Sequence, residues 1–467
     1  MPIAARLIAA AALALPAAIA IADDVDAGIA RVMAAHVKPG EPGCTVGVAE
    51  GGKLTRALAF GLSDLERGKP LDAHSVFNLA SVSKQFTAFA ILLLEQDGKL
   101  KVDDPVVKYL PELAQSAKGV TLAQLMHHTG GLRDYIEVIY MGGRVDADGT
   151  TIDETVRLLA RQTAPNEAPG VEFDYSNTGY FLLGVVVARV SGQSLAEFSR
   201  QRIFVPLGMK NTSIIDRYPA PIPALARGYA RAETGFRIDE TGWEQVGDGQ
   251  VHSDLQDLAL WDENFYTGQV GGKALVAKML DVGLLNSGES TGYAAGVNVS
   301  ESRGFRWVTH SGSWVGYKSA LQRLPDEHLS VIVLCNRAEA DASAYAEEVF
   351  ALLLGDRLGP PEPEEEEPEA EPVAAQWDPG ELARFAGAYY SPEAGVRCVL
   401  DQRGARLVLE GCARGAVLKP GKPGELVTPD GSPVLRFADG GRDTGGFIYW
   451  SPGLRGLPFK RIEEKFE

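Results

Sequence analysis

The chain has 467 residues, 45% of them hydrophobic, which is too long for one ordinary domain and enough for a large core. Its 62 acidic against 45 basic side chains leave a net charge of −17, which excludes a nucleic-acid binder, whose phosphate contacts need clustered positive charge. Seven of the negative charges (Glu362, Glu364, Glu365, Glu366, Glu367, Glu369 and Glu371) share one Pro-rich run, so the acidity is partly a linker property.

Residues 1–22 read as a secretory signal peptide. Arg6 supplies the basic end and Leu7 to Leu15 an Ala-rich apolar run, and Ala18-Ile19-Ala20 and Ala20-Ile21-Ala22 are both acceptable cleavage sites. No other stretch is apolar and long enough to span a membrane, so no span is expected after signal removal. Cys44 to Ala49 and Leu54 to Gly61 read as two strands of a hairpin about Gly51-Gly52. Helical patterns then dominate from Ser81 to about Asn211.

The first of these helices carries the only Ser-x-x-Lys of the chain, Ser81-Val82-Ser83-Lys84. Ser81 to Gln96 has no Gly or Pro, and Gly98 follows as a stop. Residues three apart share a helix face, so Ser81 and Lys84 are expected side by side in the first turn. The positive helix end favours negative charge on the Ser oxygen. Phe86, Phe89 and Ile91 to Leu94 surround most of the helix, which predicts burial. A Lys whose pKa is lowered by burial takes a Ser proton. The plainer alternative is an N-cap Ser followed by a surface Lys.

Tyr175-Ser176-Asn177, the only Tyr-x-Asn, follows Pro169-Gly170 and precedes the apolar run Tyr180 to Val190, on a loop entering a helix. Strand patterns return at Phe305 to Thr309, Lys318 to Leu324 and Leu329 to Cys335, and a last helix runs from about Glu339 to Leu354. His310-Ser311-Gly312 closes the first of these strands, and its Gly lets a ligand approach the backbone. Strands at both ends with helices between predict an α/β fold of the α+β type over residues 23–358. It comprises an antiparallel sheet flanked by helices plus a helical subdomain, with the active site between the two. Residues 359–375 form an acidic Pro/Glu linker that cannot bury enough apolar surface to fold. Residues 376–467 hold short alternating strands, such as Arg406 to Leu409 and Val434 to Phe437, and read as a small all-β, barrel-like domain. Adjacent His127 and His128 suit a structural loop. With no His-Glu-x-x-His or Cys-x-x-Cys in the chain, neither a metal nor another cofactor is expected. Four Cys are too few for a disulfide scaffold, and pairing or buried free thiols both remain open.

Ser-x-x-Lys, Tyr-x-Asn and basic residue-x-Gly, in that order, resemble the motif set of serine β-lactamases and penicillin-binding proteins, specifically the class C, D-aminopeptidase and esterase branch. Leu125 to Leu132, with its His128-Thr129-Gly130-Gly131-Leu132, looks like that family's His-Thr-x-Gly-Leu loop. Asp103 to Pro111, Pro206 to Met209 and Val251 to Ala259 look like further family segments. The resemblance implies that Ser81 is the nucleophile, with Lys84 and Tyr175 as candidate bases. It implies that Asn177 orients Lys84 and binds a substrate amide. His310, with Gly312, takes the place of the usual Lys, and the N–H groups of Ser81 and Ser313 form the oxyanion hole. Trp314 and Tyr317 line the pocket or belong to the core. The strands of Cys44 and Cys335 are neighbours in that fold, Cys398 and Cys412 flank a hairpin, and the last domain resembles a lipocalin-like one. The expected protein is a periplasmic or secreted serine hydrolase. It forms an acyl-enzyme from a small-molecule or short-peptide substrate, either an ester or a D-amino-acid amide or peptide. The alternatives are a true class C-like β-lactamase, or a penicillin-binding sensor or assembly protein without turnover. His310 is expected to be mostly neutral above pH 7 and to hold a carboxylate weakly, so esters should be favoured over β-lactams. The natural substrate, the identity of the base and the oligomeric state stay open.

Overall fold

One six-stranded antiparallel sheet ties the two ends of the main domain together in the computed structural model of the chain, which describes residues 16–360, 379–404, 406–412 and 415–463. A helix, α1 (Pro16–His36), leads into the hairpin of β1 (Cys44–Glu50) and β2 (Lys53–Phe60). The other four strands come some 240 residues later: β3 (Asn298–Ser302), β4 (Phe305–Trp314), β5 (Tyr317–Leu324) and β6 (Leu329–Cys335). The order across the sheet is β3-β4-β5-β6-β1-β2, so the first and last strands of the chain segment meet at its centre. Every residue of β6 is buried, as a strand covered on both faces must be. On one face α1 and α5 (Ala342–Leu354) pack Ile29, Met33 and Phe350 against Val46 and Val333. The opposite face carries Leu321, Ile332 and Leu334 into the larger core under the helices.

Cys44 lies directly opposite Cys335 in the β1–β6 register, and the two form a disulfide. Cys398 and Cys412 pair at the base of a hairpin in the last domain, so both pairings left open above are disulfides. That last domain is a closed barrel of eight antiparallel strands, ending in β7 (Gly446–Ser451) and β8 (Leu454–Ile462). The expected α/β architecture with an all-β barrel is therefore the observed one. Two boundaries move: β4 runs on through His310 to Trp314, and α5 starts at Ala342 behind an Asp341 cap. Residues 1–15 of the expected signal and 361–375 of the expected linker lie outside the described residues. Among the described residues no single helix is long and apolar enough to cross a membrane.

The barrel is hydrogen-bonded into the helical subdomain. Its turn between β7 and β8 reaches the start of α3 (Tyr135–Met141): the Asp134 N–H donates to the Gly453 carbonyl at 2.9 Å, and Ser451 Oγ donates to Glu137 at 2.6 Å. Arg133 is buried, pairs with Glu393 at 2.5 Å and donates to the carbonyls of Arg455 (3.0 Å) and Gly456 (2.9 Å). A Cβ at Gly453 would stand 2.2 Å from a Glu137 carboxylate oxygen, so a larger residue there would push that side chain off the turn.

Candidate active site

Ser81 sits on a 3-10 turn, Ala80–Ser83, and the α-helix proper, α2 (Lys84–Gln96), begins at Lys84. The expected single helix is thus a tight turn followed by a helix. The turn is forced by its entry: Ala80 adopts a φ of +47°, rare for a residue with a Cβ, and its N–H is held by Asn78 Oδ1 at 2.8 Å. Strand β4 presses on this turn. A Cβ at Gly312 would lie 2.3 Å from the Leu79 carbonyl oxygen and 2.4 Å from Ser319 Oγ. The glycine of the third motif therefore lets the strand seat the turn that presents Ser81. Gly312→Ala is expected to displace that turn and cut kcat roughly 10- to 100-fold, since even a 1 Å misplacement of reacting groups is costly. Steady-state kinetics beside a thermal melt checks this, and an unchanged kcat would refute the seating role.

α2 is apolar over most of its surface and its first eleven residues are buried, Lys84 included. The Lys84 ammonium nitrogen lies 3.0 Å from Ser81 Oγ, 2.9 Å from Asn177 Oδ1 and 3.0 Å from the Asp248 carbonyl oxygen. These three contacts account for all its donors when it is charged. Asn177 opens α4 (Asn177–Ser191), and its backbone and side-chain N–H groups both donate to Asp134 Oδ2, at 2.8 and 3.1 Å. Burial pushes the Asp134 carboxyl up, and the N–H groups of Asn177 and Ile136 pull against it.

Tyr175 is 40% exposed, and its ring centroid lies 4.9 Å from Lys84 Nζ. Behind it the His128 ring lies 4.1 Å away, tilted by 30°. His128 Nδ1 accepts the Ser176 N–H at 3.0 Å, and burial and nearby Lys84 keep its ring neutral. Ser81, Tyr175, Asn177 and Ser313 all line one cavity of about 310 Å³, together with Tyr135, Trp243, Asp248 and Trp314. Lys318 reaches the Ser313 hydroxyl at 2.5 Å.

His310 is not among the residues lining that cavity. Its ring is buried; Nδ1 meets the Ser311 carbonyl at 2.6 Å and Nε2 accepts from the Tyr293 hydroxyl at 2.9 Å. Burial, with Lys84 nearby, pushes its pKa down to about 3, so the ring is neutral throughout the ordinary pH range. Tyr317 is also buried, its hydroxyl spent on the Ala226 carbonyl, whereas Trp314 packs on Trp243 at 5.2 Å in the cavity wall. Asp134, Tyr135, Tyr293 and Asp248 complete the arrangement without having been singled out in the sequence, and His128, read there as part of a structural loop, packs behind Tyr175. One signal was available: an acid flanked by glycines, Gly247-Asp248-Gly249. A competing serine motif, Gly288-Glu289-Ser290-Thr291-Gly292, has the spacing of a nucleophile elbow. It lies on an exposed loop with neither the preceding strand nor the following helix that an elbow requires. Among the described residues no cluster of His, Cys, Asp and Glu forms a metal-ligand set.

A serine oxygen within hydrogen-bond reach of a buried amine, at the floor of a cavity, is suited to acyl transfer. The comparisons agree with that chemistry. Penicillin-binding protein 4* of Bacillus subtilis (strain 168) is 32% identical over 381 residues, covering 78% of this chain and 83% of that protein. A D-aminopeptidase of Cereibacter sphaeroides is 24% identical over 431 residues, covering 87% of this chain and 79% of its own. The structure of the octameric penicillin-binding protein homologue from Pyrococcus abyssi superposes with a TM-score of 0.62 at 24% identity, covering 94% of this chain and 99% of that one. The Beta-lactamase family profile matches residues 26–356, the stretch that builds both the sheet and the Ser81 cavity, and the chain belongs to that family of serine hydrolases.

Proposed function

We propose that this chain is an exported serine hydrolase that cleaves D-amino-acid amides, short D-peptides or small esters through an acyl-enzyme on Ser81. The observation that carries the reading is the 3.0 Å contact between Ser81 Oγ and Lys84 Nζ at the floor of the cavity. When Lys84 is neutral, its two N–H groups are held by Asn177 Oδ1 and the Asp248 carbonyl, and its lone pair faces the Ser81 hydroxyl. It then accepts the proton as Ser81 attacks the substrate carbonyl. The oxyanion is received by the backbone N–H groups of Ser81 and Ser313, both at the cavity wall. Lys84, now charged, passes that proton to the Tyr175 oxygen as the Tyr175 hydroxyl gives its own to the leaving group, and the same relay run in reverse takes a proton from the deacylating water. Asn177 holds Lys84 and offers its amide to the substrate.

The D-aminopeptidase relative supports the amide substrate. Among the described residues no Lys, Arg or His side chain lines the cavity to grip a substrate carboxylate, and neutral His310 stands behind it, which favours esters and amides over β-lactams. Export is supported by the composition of residues 1–22 and by two disulfides, which persist in oxidising compartments. The test is a panel of D- and L-amino-acid p-nitroanilides, p-nitrophenyl esters and nitrocefin. D-aminoacyl or ester turnover should exceed nitrocefin turnover at least about tenfold in kcat/KM. A preference for nitrocefin would overturn the reading.

A further inference from the structure

Among the described residues, two buried side-chain polar atoms of the cavity wall have no hydrogen-bond partner, and they are of opposite sense. Asp248 is 7% exposed and lines the cavity. Its Oδ2 accepts from the Tyr135 hydroxyl at 2.8 Å, while Oδ1 accepts nothing. Trp314, also in the wall, has an indole N–H that donates to nothing. Nearby donors are already committed. Lys84 is spent on Ser81, Asn177 and the Asp248 carbonyl, and the Gln245 amide donates to the Thr151 carbonyl and Thr155. Asp134, the other buried carboxylate close by, has both oxygens engaged, by Asn177 and Ile136. A buried carboxylate oxygen left unpaired is costly, so a site that retains one is built for a donor that arrives with the ligand.

We propose that Asp248 selects substrates bearing a free ammonium group, receiving that group on Oδ1. This rests on the acyl-transfer reading above and narrows it to unblocked D-aminoacyl compounds. Among the described residues Asp248 is the only carboxylic acid in the cavity wall, and no cationic side chain lines that wall to compete for it; Lys318 is tied to Ser313. The aromatic rings of Tyr135, Tyr175, Trp243 and Trp314 around it favour a cation over an anion. The Trp314 N–H supplies the complementary donor for an acceptor on the same ligand.

The experiment compares D-alanine p-nitroanilide with its N-acetyl twin, and the D-phenylalanine pair likewise, in the native protein and in Asp248→Asn. The readout is the ratio of kcat/KM within each pair, which cancels any general loss of activity. At pH 7 the native ratio should favour the free amine at least about tenfold, and Asp248→Asn should reduce it roughly 10- to 100-fold, mainly through KM. A second readout needs no variant. Burial pushes the Asp248 carboxyl up to about 6; Lys84 and the Tyr135 hydroxyl draw it down and Asp134 raises it, and these are the titratable groups facing it. The carboxylate is therefore present above that pH and lost below it, whereas the substrate amine stays charged at pH 7 and below. The native ratio should fall several-fold between pH 7 and pH 5. A ratio unmoved by both the substitution and pH overturns the role of Asp248 while leaving the D-aminoacyl activity standing. Turnover of p-nitrophenyl acetate with neither aminoacyl pair consumed overturns both.

Discussion

Ser81→Ala is expected to lower kcat by roughly 10⁶-fold, the order seen when the nucleophile of a hydrolytic constellation is removed. The protein should stay folded, because the hydroxyl contributes one hydrogen bond, to Lys84, at the edge of an open cavity. A fluorophosphonate should add once to the native chain, and peptide mapping should find the adduct on Ser81 and lose it in the variant. Labelling at Ser290 or another serine, or activity that survives in Ser81→Ala, would refute the assignment. Lys84→Ala is the informative companion. It frees Asn177 Oδ1 and the Asp248 carbonyl together, so its cost mixes lost base with lost positioning, whereas Ser81→Ala removes the attacking atom alone.

What the sequence revealed and what it hid divide along chain separation. Ser81 and Lys84 were legible because one turn of backbone fixes their distance. Tyr175 and Asn177 were legible because turn residues precede them and an apolar helix follows. The central sheet was legible strand by strand, since alternation and apolar runs are local properties. The partners that complete the site are not local. Asp248 meets Tyr135 across 113 positions and Lys84 across 164, and Asp134 meets Asn177 across 43, so no periodicity announces them. His310 shows the same limit. The alternating strand predicted its backbone, but burial among distant residues, with Lys84 nearby, keeps its ring neutral, and Tyr293, 17 positions away, takes up its Nε2. The Ser290 pentad errs the other way: a local match with no supporting fold around it.

The barrel's influence on the site was hidden for the same reason, and it carries the second large expectation. Glu393 stands in the barrel and Arg133 beside the Asp134 that holds Asn177, and their side chains are only 9% and 2% exposed. Burial alone would raise the Glu393 carboxyl. The Thr163 hydroxyl and N–H and the Arg133 guanidinium outweigh it and hold the group below its ordinary value. A carboxyl depressed on folding contributes stability that is present above the unfolded pKa of about 4.3 and lost as pH falls through the lower folded value. Glu137 and Asp174, further carboxyls at this contact, are pushed up by burial, so their titration works in the opposite sense. The comparison of native with Glu393→Gln isolates the one from the other. Removing one partner of a buried pair leaves the other charge uncompensated, at about 3 kcal/mol or more. Glu393→Gln should therefore loosen the barrel from the helical subdomain at pH 7, and the difference from native should shrink below pH 4. Arg133→Met should cost a similar amount, and the double variant less than the sum, because no orphaned charge remains. Hydrogen exchange at the 451–456 turn and thermal melts read the loosening. Since the Gly453 carbonyl holds the Asp134 N–H, kcat should fall with it. If both single variants melt within about 0.5 kcal/mol of native, the pair does not hold the barrel in place. If they loosen the turn while kcat stays constant, Asp134 keeps Asn177 in position without the barrel's help.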